Sequence, residues 1–208
     1  MNDEKQIIPE VPDGAPVPEQ KKKKTVAAVL FDYVEMFTWS VFAVLLIFTF
    51  GFRLCQVDGG SMNNTLEDTQ RLLLRSAFYT PKQDDIIVFH LTKPEVGMEK
   101  TLVKRVIATG GQTVEINTNT GVITVDGVEY SDTHAFLNSG HYEPSLFCKG
   151  YDRTTGIYRA TVPEGKLFVM GDNRNNSTDS RNSKVDFVDE RCVLGKVVLR
   201  LSPFTVFN

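Results

Sequence analysis

The chain has 208 residues, 41% of them hydrophobic, and a formal charge of −3 at neutral pH. That leaves room for one domain of ordinary size with appendages, and the weak acidic balance argues against nucleic acid as a partner. Its three cysteines, Cys55, Cys148 and Cys192, are odd in number and widely spaced, so they build neither a disulfide framework nor a CxxC zinc site. They are read as structural, with a Cys148–Cys192 bridge the one pairing left open.

Residues 1–20 hold four of the nine prolines among mixed charges, without hydrophobic periodicity, which is the composition of a solvated tail. Lys21 to Lys24 form a basic run, and beyond Thr25 the chain turns apolar. Residues 36–52 contain no charge over 17 positions, about 26 Å as a helix at roughly 1.5 Å per residue. A buried soluble helix would need a polar stripe, and Phe37, Val41, Phe42, Val44 to Phe48 and Phe50 leave none. A cleavable signal peptide would need a shorter apolar run and a small-x-small site after it, but Gly51-Phe52-Arg53-Leu54-Cys55-Gln56 follows. The expectation is a retained, single membrane span. With the lysines ahead of it, the N-terminus is cytoplasmic and everything after the span extracytoplasmic. The domain reading is a tail at 1–25, an anchor at 26–54 and a β-rich domain at 55–208.

From residue 71 the pattern changes to short runs rich in Val, Ile, Leu and Phe: 71–75, 85–91, 101–108, 112–116, 122–125, 128–130, 166–170 and 193–201. Asp126-Gly127 between two of them is a two-residue hairpin signal. The fold class is therefore mainly β: a single N-terminal transmembrane helix followed by an extracytoplasmic domain of antiparallel sheet, in one or two sheets. Residues 131–155 read as a long surface excursion.

Three stretches could carry chemistry. Gly59-Gly60-Ser61-Met62-Asn63-Asn64-Thr65-Leu66 sets a serine close behind the apolar span, as a nucleophile or simply as a turn residue. Lys104 shares a strand face with Leu102 and Val106. Burial there would lower its pKa toward that of a general base, whereas a snorkelling lysine at a strand edge would keep its charge. Gly171-Asp172-Asn173-Arg174-Asn175-Asn176-Ser177-Thr178-Asp179-Ser180-Arg181 is dense in opposed charges and hydroxyls. It is either a polar loop or a brace in which Asp179 pairs Arg181 and Ser177 orients an amine. His90, His134 and His141 lie in no motif with Ser61.

Taken in order, Gly60-Ser61-Met62-x-x-Thr65-Leu66, Lys104-Arg105-Val106 and Gly171-Asp172-Asn173-Arg174-x-x-Ser177-x-Asp179-Ser180-Arg181 resemble the signature boxes of the bacterial type I signal peptidases. Asp85-Ile86-Ile87-Val88 resembles a further strand box between the first two. The resemblance implies a serine–lysine dyad, with Ser61 as nucleophile and Lys104 as general base. Ser177 would orient the lysine, Asp179 and Arg181 would brace the site, and Gly60, Met62, Asp85, Ile86 and Ile87 would border the substrate. It implies no cofactor and no metal. The partners it implies are preproteins with N-terminal signal peptides and the lipid bilayer, with export machinery left open, and the reaction is cleavage after a small-x-small motif. Two positions depart from the pattern: Asn64 stands where many relatives carry proline, and Gly59 where some carry an oxyanion-stabilising serine. A different serine–lysine hydrolase lacks support, since no lysine stands three residues after Ser61. A silent scaffold that binds signal peptides is the rival from another class.

Overall fold

The computed structural model describes residues 25–137, 140–147 and 149–207. The expected solvated tail and the lysine run lie outside the described residues, as does Cys148. Cys192 is a free thiol, and the Cys148–Cys192 pairing left open by the sequence lies outside the described residues.

The helix α1 (Val26–Gly51) runs 26 residues, about 39 Å at 1.5 Å per residue, and none of its side chains is buried. It is long and apolar enough to cross a membrane. Two of its hydroxyls are satisfied within the helix, Thr38 Oγ1 on the Val34 carbonyl and Ser40 Oγ on the Phe37 carbonyl, both at 2.8 Å.

Beyond α1 the chain forms β1 (Phe52–Gln56), β2 (Arg71–Arg75), β3 (Ile86–Lys93), β4 (Met98–Thr109), β5 (Thr113–Asn117), β6 (Ile123–Val125) and β7 (Val128–Glu129). It continues with β8 (Tyr151–Asp152), β9 (Ile157–Thr161), β10 (Lys166–Met170), β11 (Val188–Asp189), β12 (Val193–Leu201) and β13 (Phe204–Val206). Residues 52–54, placed by the sequence reading in the anchor, pair with β2 instead. All described ladders are antiparallel. They make two sheets, β1-β2-β12-β3-β4-β10-β11 with β13 on β12, and β7-β6-β5-β9-β8.

Each sheet follows from its side-chain pattern. In β3, Ile86 to Phe89 are all buried, because both faces of this central strand meet apolar neighbours. In β5 and β6 burial alternates, as expected for strands with one wet face. The Asp126-Gly127 hairpin joins β6 to β7, with φ of 52° and 80° as a type I′ turn requires. Ile107, Ala108, Phe168 and Met170 of the first sheet share one core with Val114, Ile116, Ile123 and Tyr158 of the second.

The 131–155 segment corrects the expectation of a surface excursion. Tyr142 and Phe147 within it are buried, and Phe136 exchanges backbone bonds with the 171–181 loop, accepting from Arg174 N and donating to Asp172 O. Its composition is polar because it packs by a few aromatics and by charge pairs, which leave no periodic trace.

Candidate active site

Ser61 lies in a tight turn after β1. Gly59 enters it at φ +87°, a conformation that costs any other residue strain, and donates its N–H to Asp68 Oδ1 at 2.9 Å. The turn closes through Thr65 N and Leu66 N, both donating to the Met62 carbonyl, so it forms with Asn64 exposed and without proline. Met62 and Leu66 are buried among Leu72, Leu74, Val88 and Val197, which fixes the turn to the sheet. The backbone N–H of Ser61 has no intramolecular partner among the described residues.

Lys104 reaches this serine from the middle of β4. Its Nζ donates to Ser61 Oγ at 2.6 Å and to the Val103 carbonyl at 2.9 Å. Leu102 and Val106, on the same strand face, pack into one apolar cluster, leaving Lys104 only 2% exposed. Burial pushes its pKa down from 10.5 to about 8; the charges of Asp179 and Asp172 oppose this, and that of Arg181 adds to it. Among the described residues no carboxylate touches the amine, so its proton is not locked in place.

The next residue, Arg105, faces the other way and meets Asp172 through two bonds, Nε to Oδ1 at 2.9 Å and Nη2 to Oδ2 at 2.7 Å. Thr65 Oγ1 also donates to Asp172 Oδ2, at 2.6 Å, tying the serine turn to the same carboxylate. Two further bonds dock the turn on the loop after β10: Asn173 N to the Ser61 carbonyl at 3.1 Å and Asn173 Nδ2 to the Gly60 carbonyl at 3.0 Å.

Within that loop Asp179 is fully buried and forked by Arg181, Nε to Oδ1 at 2.8 Å and Nη2 to Oδ2 at 2.7 Å. Burial raises the Asp179 pKa, but the charge and hydrogen bonds of Arg181 outweigh it and hold the carboxyl below its usual range. Gly171 N donates to the same carboxylate at 3.0 Å. A Cβ on Gly171 would lie 2.3 Å from Ser177 Oγ and 2.4 Å from the Ser61 carbonyl oxygen, so only glycine fits where the two loops meet. Ser177 Oγ is buried beside it, near the Asp179 carboxylate but with no partner at hydrogen-bond geometry among the described residues. Arg174, bonded to Asp132 and to Tyr142 Oη, clamps the loop to the 131–155 segment.

Ser61, Lys104, Gly60, Met62, Ser177, Asp179 and Arg181 therefore gather at or against one site. Asp85, Ile86 and Ile87 do not border it. Asp85 pairs with Lys196 at 2.8 Å and accepts from Tyr79 Oη at 2.7 Å, while Ile86 and Ile87 are core. Of that box only Val88 reaches the cleft beside Ser61, a space of about 350 Å³. One wall of the cleft is Cys55 to Asp58, and the other is Lys100 to Lys104. Both walls are strand edges: β1 ends its sheet, and β10 covers β4 only from Arg105 onward. The sequence reading missed Arg105, Asp172 and Asn173 as site residues, although all three stand inside its motifs.

A serine hydroxyl bonded to a desolvated lysine, in a cleft between two open strand edges, fits the class of serine hydrolases. A model of the family described as "Signal peptidase, peptidase S26" matches residues 30–202. The chain is 34% identical over 180 residues to "Signal peptidase I" of Bacillus licheniformis, covering 84% of this chain and 90% of that one. It is 34% identical over 156 residues to "Probable signal peptidase I-1" of Synechocystis sp., covering 71% and 69%. A crystal structure of a signal peptidase I from Enterococcus faecalis V583 aligns at 28% identity and a TM-score of 0.39, covering 58% of this chain and 99% of that one. The chain belongs to the peptidase S26 family, among the type I signal peptidases, which are serine proteases.

Proposed function

We propose that this protein is anchored in the membrane by α1 and removes N-terminal signal peptides from exported preproteins, cutting after a small-x-small motif. The observation that carries the reading is the 2.6 Å contact between Lys104 Nζ and Ser61 Oγ, made by an amine whose pKa is lowered to about 8. Once neutral, that amine accepts the serine proton as Oγ attacks the scissile carbonyl. The Ser61 N–H stabilises the oxyanion. Gly59 offers no hydroxyl for that task, so the second donor comes from elsewhere. The tetrahedral adduct collapses as the Lys104 ammonium protonates the leaving amine, and an ester on Ser61 remains. Lys104 then takes a proton from water, hydroxide attacks the ester, and the proton returns to Ser61 Oγ.

Asp179 and Arg181 hold the loop against which Lys104 is packed, and the buried Ser177 hydroxyl is the group available to orient its amine. The substrate lies extended between the edges of β1 and β4, pairing through its backbone, and shallow pockets admit only small side chains near the cut. Enzyme and substrate share one bilayer, so a modest affinity for the peptide suffices. The lysines ahead of α1 orient the chain with its N-terminus in the cytoplasm and the sheet domain outside.

The test is cleavage of a preprotein with an Ala-x-Ala junction in detergent micelles by the intact chain, Ser61→Ala and Lys104→Ala. Cutting at that junction by the intact chain alone supports the dyad and the function together. Binding without cutting by the intact chain would favour the scaffold.

A further inference from the structure

Arg181 is buried, and its hydrogen bonds leave part of the guanidinium over. Nε and Nη2 go to Asp179, and Nη2 also to the Arg174 carbonyl at 2.7 Å, but Nη1 has no hydrogen-bond partner among the described residues. A buried charged donor left unmet is costly unless something else stands against the charge. Two rings do. The guanidinium carbon lies 5.5 Å from the ring centroid of Tyr142 and 5.7 Å from that of Phe147, within the range of cation–π attraction. The rings are themselves held: Tyr142 meets Phe147 edge to face at 6.0 Å, Phe147 packs on Tyr158 of β9 at 5.1 Å, and Tyr158 on Phe168 of β10 at 5.9 Å. The Tyr142 hydroxyl also accepts from Arg174 Nη1 at 2.7 Å, so one side chain of the 131–155 segment touches both buried arginines of the 171–181 loop. Arg174 Nε in turn donates to the carbonyl of Gly171, the residue that fits against Ser61 and Ser177.

We propose that Tyr142 and Phe147 are positioning residues for cleavage: their rings seat the Arg181 guanidinium on Asp179 and so fix the charges that act on Lys104. Neither ring lines the cleft beside Ser61, so both act through the loop. The inference rests on Lys104 being the base. Without the rings, water reaches Nη1 and the guanidinium can turn into the vacated space. The Arg181 charge, which pulls the Lys104 pKa down, is then screened, and the Asp179 charge, which pulls it up, is less neutralised. Both changes raise it.

The experiment takes the full chain in neutral detergent, with its lysines labelled with carbon-13 at Cε, and follows the Lys104 resonance with pH, assigned by its absence in Lys104→Met. Beside it runs the pH profile of kcat/KM on the Ala-x-Ala substrate. In the native chain both midpoints should lie at about 8. In Tyr142→Leu both should move up by about one unit, so that cleavage at pH 7 falls about tenfold and recovers in alkali, with KM little changed. Tyr142→Phe keeps the ring and loses the bond to Arg174; its Tm should fall while both midpoints stay native. Should Tyr142→Leu not fold, Phe147→Leu removes the other ring and should shift both midpoints the same way. Midpoints unmoved in the leucine variants, with only Tm lowered, would make the rings ordinary core and overturn the proposal. So would an equal shift in Tyr142→Phe, which would assign the effect to the hydroxyl. A native chain that cuts nothing would count against the cleavage reading instead, and the Lys104 resonance would still decide whether the rings act on the lysine.

Discussion

Lys104 and Arg105 are adjacent on β4, and both are buried, at 2% and 4% exposure, but the two faces of the strand treat them in opposite ways. On one face Lys104 meets apolar side chains, a hydroxyl and a carbonyl, and its proton is loosened toward a pKa of about 8. On the other, burial also works against the Arg105 cation, yet the hydrogen bonds and charge of Asp172 more than restore it. Burial alone therefore does not make a base. What separates the two is whether a carboxylate closes on the cation: the paired arginine is a rivet, and the unpaired lysine is the group that the proposed mechanism uses as its base.

The strongest way to break this contrast is Lys104→Met. Cleavage of the Ala-x-Ala substrate should fall by about ten-thousand-fold, the upper range for losing a general base. Thermal unfolding of the same variant should show a gain of roughly 2–3 kcal/mol near pH 7. Below pH 8 the unfolded chain binds a proton that the folded amine holds poorly, so Lys104 costs stability there; the cost fades as pH rises to 10.5. A stability gain that did not shrink over that window would sink the desolvation argument.

Asp172→Asn attacks the opposite face, leaving Arg105 buried without its countercharge, and should cost about 3–5 kcal/mol. In a double-mutant cycle with Arg105→Met the combined loss should be well below the sum of the single losses. Gly171→Ala tests the packing that holds both faces together. The added methyl has no room against Ser177 and the Ser61 carbonyl, and kcat should drop about a hundredfold at little change in KM. The smallest effect is read from pH: kcat/KM of the native chain should rise about tenfold per unit below pH 8 and level off above it, since only the neutral amine accepts the serine proton. A plateau reached only near 10.5 would mean that Lys104 is wet.

Much of this was legible in the residues. The apolar run gives α1 because 26 residues without a polar stripe have few other ways to fold, and short runs rich in Val, Ile, Leu and Phe give most strands of the two sheets. The strand face of Lys104 followed from the alternation of side chains along β4. The misses were of another kind. Asp85, Ile86 and Ile87 belong to a strand box near the site in sequence order, but the sheet order sets β3 between β12 and β4, which turns Ile86 and Ile87 into core and leaves Asp85, just ahead of β3, paired with Lys196. The segment around Tyr142 looked like a solvated loop because its role is a clamp on Arg174, 32 residues away, and no periodicity records that.

The sequence by itself determined the helix, the β class and the residue types of the site, since each depends on local period, turn chemistry or motif spacing. The motif resemblance pointed to Lys104, but only the tertiary structure decided whether its amine meets the serine, which aspartate spares it and which holds the neighbouring arginine. Those partners lie 43 and 67 residues apart in the chain. The bulged pairing of β10 with β4 and the glycine contact at Gly171 bring them together, and pKa is a property of what surrounds a group in space.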